Sequence, residues 1–188
     1  MKEVEVLVKV LSKKNDVLDI LNKFNFIGKK KVLDIYFYDE KRDALKPKEG
    51  KLTECFRLRK KDKNNYITYK IDYFDDAGTW IYSDEEETQV NDFRVTTKII
   101  SHLGLKPLIE IDNIKHTFLT NEYEIVLEEV KGLGLFLEVE RQNITKTENI
   151  SEVKQKILDF INSLGIKVSK ELNAGKPELM LKKNSQVS

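Results

Sequence analysis

Leu127-Glu128-Glu129-Val130-Lys131-Gly132-Leu133-Gly134-Leu135-Phe136-Leu137-Glu138-Val139-Glu140 is the stretch on which the reading of this chain turns. Its Gly-Leu-Gly centre is too short for a G-x-G-x-x-G phosphate loop and no helical pattern follows it, so it predicts a tight hairpin. The flanking strands are expected over Glu122–Glu129 and Leu135–Arg141. Period-2 alternation puts Glu138 and Glu140 on one face of the second strand and Leu137 and Val139 on the other. Taken alone, such an acidic pair fits a solvent-facing strand surface.

The pair has company. Residues 1–11 alternate so that Val4, Val6, Val8 and Val10 share one face while Glu3, Glu5, Leu7 and Lys9 share the other. Arg57 and Arg59 alternate with Phe56 and Leu58. A closed sheet of about eight strands has an interior just wide enough for one small ligand. Same-face pairs of opposite sign would line that interior as acid facing base. Carboxylates suit Mg2+ or Mn2+, hard cations that prefer oxygen. Arginines suit phosphate oxygens, which they grip in bidentate fashion.

Further strands are expected at 32–38, 54–60, 66–72, 80–90, 106–111 and 115–119, with a last short one over 178–181. Turn-rich segments at 61–65 and 75–78 give hairpin spacing, so the sheet should be antiparallel. Helices are expected after Ser12 or Asn15, after Asn91 and near Ser151, with Gly28, Gly104 and Gly165 as stops. The run Lys29–Lys31 reads as a solvated loop. Residues 39–53, rich in charge and carrying Pro47 and Gly50, read as a mobile loop able to act as a lid.

The 188 residues suit one domain. The 33 basic and 32 acidic side chains nearly cancel, which argues against a general nucleic-acid binder or a membrane-surface protein. An anion must therefore be held by local clustering. A single cysteine, Cys55, cannot pair within the chain, and the two histidines make no metal motif with it. With no leader pattern and no membrane-length apolar run, the expectation is a cytoplasmic protein. Cys55, His102 and His116 read as structural rather than catalytic residues.

At this point the sequence resembles the CYTH superfamily, and within it the class IV adenylyl cyclases. The opening Glu3-Val4-Glu5-Val6-Leu7-Val8-Lys9 is similar to the E-x-E-x-K hallmark. Asp34-Ile35-Tyr36-Phe37, Arg42-Asp43 and Phe56-Arg57-Leu58-Arg59 resemble the D-x-Y-F strand, loop and L-R-x-R strand of those cyclases. Thr68-Tyr69-Lys70 resembles the next strand, and residues 127–140 the L-D-x-V-x-G-L-G-x-F-x-E-I-E signature. The resemblance runs in order over residues 1–181, leaving 182–188 as a frayed tail.

The resemblance implies an α+β fold: an eight-stranded antiparallel closed tunnel with flanking helices. It also implies an enzyme that takes a small-molecule triphosphate with Mg2+ or Mn2+, converting ATP to cyclic AMP and pyrophosphate. Inorganic or thiamine triphosphate hydrolysis, or binding without turnover, are the alternatives. By position, Glu3, Glu5, Glu128, Glu138 and Glu140 would hold metal. Lys9, Arg57, Arg59, Lys70 and Lys115 would hold the triphosphate. Four departures stand out. Leu7 replaces the motif lysine, with Lys9 one pleat pair (roughly 6–7 Å) further along. Glu110, Asp112 and Asn113 occupy a strand where the family carries basic residues. If Glu110 and Asp112 faced the interior they would repel a polyphosphate. Oligomeric state is not encoded in any of these patterns.

Overall fold

The computed structural model describes residues 2–48, 50–145 and 148–186. Ten strands occur among them: β1 (Lys2–Glu3), β2 (Glu5–Val10), β3 (Asn25–Tyr38), β4 (Glu54–Lys61), β5 (Asn64–Phe74), β6 (Trp80–Val90), β7 (Lys106–Leu119), β8 (Tyr123–Val130), β9 (Gly134–Arg141) and β10 (Val168–Glu171). Four α-helices accompany them: α1 (Lys14–Leu21), α2 (Phe93–His102), α3 (Ile150–Ser163) and α4 (Lys176–Ser185). All the strands form one curled sheet in the order β1-β6-β5-β4-β3-β7-β8-β9-β2-β10. Every pairing is antiparallel. β1 and β2 stand far apart in that order, yet Val4 alone separates them in the chain. One N-terminal run thus bonds to β6 with its first residues and to β9 with its later ones.

Alternation decides which side chains face which way. Val6 and Val8 on β2, Ile125 and Leu127 on β8, and Leu137 and Val139 on β9 are fully or almost fully buried. They pack in one core with Val17 and Leu21 of α1 and Val153, Ile157 and Ile161 of α3. The intervening residues face the concave side. A smaller cluster of Phe37, Leu58 and Ile100 seats α2 on β3 and β4. No helix among the described residues is long and apolar enough to cross a membrane.

Several expectations need correction. β3 begins at Asn25, so Lys29–Lys31 lie in a strand with exposed side chains rather than in a loop. Gly28 does not stop a helix; it sits at a register shift where β3 bulges against β7. α2 is capped by Asp92, whose carboxylate accepts the Val95 N–H at 2.8 Å, not by Asn91. The two strands expected at 106–111 and 115–119 are one continuous strand, β7, and β10 escaped notice.

The largest difference is at the C-terminus. Residues 178–181 are helical, not a strand, and the helix continues through Ser185 across most of the expected tail; residues 187 and 188 lie outside the described residues. Its start was written in Gly175-Lys176-Pro177-Glu178, with proline and an acid in the first turn and Lys182 and Lys183 in the last. The described residues of segment 39–53 include Leu45 and Leu52, both buried, and a 3-10 turn at Asp43–Leu45.

Phe118, fully buried and 5.1 Å from the Phe26 ring, anchors the β3–β7 seam. Phe118→Ala should cost about 3–5 kcal/mol, read as a lowered midpoint in denaturant unfolding at unchanged slope.

Candidate active site

The concave face encloses a cavity of about 600 Å3. Its acidic lining comes from β1, β2 and β9, where alternation turns Glu3, Glu5, Glu138 and Glu140 inward. In the β2–β9 ladder Glu5 lies directly opposite Glu140, and in the β8–β9 ladder Glu124 does too. Like charges at such positions destabilise a sheet, and their ionisation shows it. Burial, then the neighbouring carboxylates of Glu3, Glu5, Glu138 and Glu124, pushes the Glu140 carboxyl up to about 8. Burial also raises Glu3 to about 7, with Glu85 and Glu5 adding to it and Lys70 opposing. Glu5 is raised by burial, again against the pull of Lys70. Glu138 behaves oppositely: burial disfavours its charge, but Lys176, Lys115 and Lys70 outweigh that and hold it well below the usual carboxylate range.

The basic lining comes from β4, β5 and β7. Arg59 grips Asp34 with two hydrogen bonds of 2.7 and 2.9 Å. Burial opposes charge on Asp34, but Arg59 overrides it and holds the carboxyl far below its ordinary value. Arg57 reaches Glu85 at 3.2 Å and Glu87 at 3.4 Å, and its Nε donates to the Thr68 hydroxyl at 3.2 Å. Lys70 lies 3.2 Å from Glu3, 3.3 Å from Glu5 and 3.8 Å from Glu85. Lys115 forms an ion pair with Glu128.

Eight of the ten residues singled out in the sequence therefore line one cavity: Glu3, Glu5, Glu138 and Glu140, with Arg57, Arg59, Lys70 and Lys115. Lys9 does not. It sits at the far end of β2 opposite Phe136, exposed and outside the lining. Glu128 is fully buried, and Lys115 and Lys176 both contact it, the latter at 2.8 Å. Its carboxylate is already taken up in neutralising two lysines.

Lys176 is the residue that sequence reasoning missed. It enters from the first turn of α4 and pairs with both Glu128 and Glu138. Leu7, which stands where the motif lysine would be, faces Glu138 across the β2–β9 ladder and packs in an apolar cluster with Leu179 and Met180 of α4. The ammonium group beside Glu138 is thus delivered by α4 instead of by position 7. Glu124, which also lines the cavity, was missed as well, although it shares a face with Glu128 by spacing alone. Glu110 is exposed and Asp112 pairs with Lys31 at 3.8 Å, so neither adds repulsion to the cavity. Asn113 is buried. His116 is buried in β7 outside the cavity lining, its imidazole pushed toward neutrality by burial and then by Lys14 and Lys29.

The curled antiparallel sheet sets clustered carboxylates against clustered guanidinium and ammonium groups across its concave face. The profile of the CYTH domain family matches residues 1–173, and the chain belongs to that family. A Methanocaldococcus jannaschii protein named "Putative adenylate cyclase" is 33% identical over 166 residues, 86% of this chain and 90% of that protein. Among solved structures, a Pyrococcus horikoshii protein superimposes with TM-score 0.77 at 24% identity, covering 95% of this chain and 99% of its own. A "putative adenylyl cyclase" from Hippeastrum, described as having a dominant triphosphatase activity, superimposes with TM-score 0.66 at 16% identity, covering 97% and 96%.

The raised carboxyls predict an unusual pH dependence. Glu140 has an ordinary value of 4.5 but keeps its proton to about 8 in the fold. Between those values the folded state binds more protons than the unfolded one, so metal-free stability declines as pH rises through that window. Glu3 contributes similarly up to about 7. Glu140→Gln should be more stable than the parent at pH 8 by on the order of 1–2 kcal/mol and nearly equal at pH 4.5. Denaturant titrations at both pH values check this; a less stable variant at pH 8 would contradict it.

Proposed function

We propose that this chain is a metal-dependent enzyme acting on a small-molecule triphosphate, of the class IV adenylyl cyclase type, with β1 and β2 serving as one strand that closes the sheet into a tunnel. The observation that carries the reading is the meeting of an acid-rich wall and a base-rich wall across a single cavity. The acids fit Mg2+ or Mn2+: the donors are all carboxylate oxygens, and burial together with neighbouring carboxylates disfavours charge on Glu140 and Glu3, a penalty that a bound cation would relieve. Glu3, Glu5, Glu138 and Glu140 would hold the ion, which supplies charge neutralisation at the phosphates.

The remaining roles follow from chemistry. Arg57 and Arg59 present planar forks suited to phosphate oxygens, each held in place by an acidic partner. Lys70, Lys115 and Lys176 add point charges on neighbouring walls. Together they would fix the triphosphate chain and stabilise a pyrophosphate leaving group, a contribution of positioning and electrostatics. In a cyclase the ribose 3′-oxygen attacks the α-phosphorus. In a hydrolase water attacks a terminal phosphorus and the same residues serve. The hydrolase reading gains support from the Hippeastrum relative, whose name says cyclase while its described activity is mainly that of a triphosphatase.

Incubation with Mg2+ or Mn2+ and, separately, ATP, inorganic triphosphate and thiamine triphosphate discriminates these readings. Cyclic AMP with matching pyrophosphate is the expected product pair; orthophosphate without cyclic AMP would establish the hydrolase instead. Glu5→Gln should lower turnover by roughly two orders of magnitude or more. Unchanged rates in that variant would remove the metal assignment, and no product from any substrate would leave binding without turnover.

A further inference from the structure

Cys55 on β4, Asp72 on β5 and Glu178 in the first turn of α4 bring one ligand atom each to within 4.8 Å of one another. None of them belongs to the acidic set discussed above. Cys55 is only 9% exposed and its thiol is free. Asp72 accepts a 2.5 Å hydrogen bond from the Ser83 hydroxyl, which in turn accepts from the Trp80 indole N–H at 3.0 Å. Glu178 accepts the Leu52 backbone N–H on Oε1 at 3.3 Å, while Oε2 is shut off from solvent and accepts no hydrogen bond of ordinary geometry. Two of the three ligands are thus oriented by outer partners, as metal-binding carboxylates are.

We propose that Cys55, Asp72 and Glu178 form a thiolate–carboxylate site for a divalent transition ion of the zinc type, clasping α4 to β4 and β5. The three groups come from three separate elements, so an ion between them ties the C-terminal helix to the sheet. Sulfur makes the site chemically distinct from the oxygen-only cluster of Glu3, Glu5, Glu138 and Glu140, because thiolate selects zinc-like ions over Mg2+. Tetrahedral zinc, with bonds of ~2.0–2.3 Å, needs ligand atoms about 3.5 Å apart, a contraction that side-chain rotation can supply. Binding takes the Cys55 thiol to thiolate and releases its proton to solvent, leaving the fourth position to water. The groups otherwise work against each other: burial, then Glu178 and Asp72, pushes the thiol up, and burial raises Asp72 and Glu178 as well. Lys176 lies two residues before Glu178, so the clasp would also fix the ammonium group that contacts Glu128 and Glu138. Cys55, Asp72 and Glu178 also line the cavity, but the inference does not depend on a triphosphate being what the cavity binds.

Cobalt reports the site directly. Titrating Co2+ into the full chain in excess Mg2+ should produce a thiolate-to-cobalt charge-transfer band that Zn2+ displaces. The band should persist in Glu5→Gln, vanish in Cys55→Ser, and need at least about tenfold more Co2+ in Glu178→Gln. Zn2+ should raise the melting temperature of the parent and not that of Cys55→Ser. Absence of the band in the parent, or its survival in Cys55→Ser, would overturn the proposal.

Discussion

Two glutamates directly opposite each other across a strand ladder, Glu5 and Glu140, impose the constraint that organises this molecule. The β2–β9 pairing cannot avoid them, because the valines and leucines alternating with them are needed by the α1–α3 core. Burying that core on one face commits the carboxylates to the other, where the sheet curls around them. The opposing charge must then be found nearby, and the fold draws it from several directions: Lys70 from β5, Lys115 from β7 and Lys176 from α4. Even so, Glu140 and Glu3 remain reluctant to ionise. Positive charge on the walls outweighs burial at Glu138 and does not at Glu3 or Glu140.

Much of this was legible because period-2 alternation is an unambiguous signal when charge and β-branched residues take turns. The faces of Glu3, Glu5, Arg57, Arg59, Glu138 and Glu140 follow from it without reference to long-range structure, and so does the hairpin at Gly132–Gly134. The order of the motifs identified the family, and residues 1–173 match its profile. What alternation does not carry is distance along the interior. Lys9 shares a face with Glu5, yet two pleats take it to the end of the strand, beyond the cavity. Glu128 shares a face with Glu124, but sits under two lysines and away from open space.

The C-terminal helix shows the other limit. Residues 176–185 have little apolar periodicity, and Leu179, Met180 and Leu181 in succession read as a strand when considered alone. Their helical state depends on packing against Leu7, Ile109 and Phe136, three residues distant in sequence. The departure at position 7 and the position of Lys176 are therefore linked. A leucine on the sheet makes an apolar seat for α4, and α4 brings the lysine that the sheet lacks. Neither half of that exchange is visible without the other.

The central claim is that the acidic cluster is completed by a divalent cation and that cation and basic wall together hold a triphosphate. Calorimetric titration of inorganic triphosphate at pH 7, with and without Mg2+, tests it most directly. The account predicts tight binding with Mg2+, much weaker binding in its absence, and loss of the Mg2+ effect in Glu5→Gln. Equal affinity with and without the ion, or no binding in either condition, would contradict it.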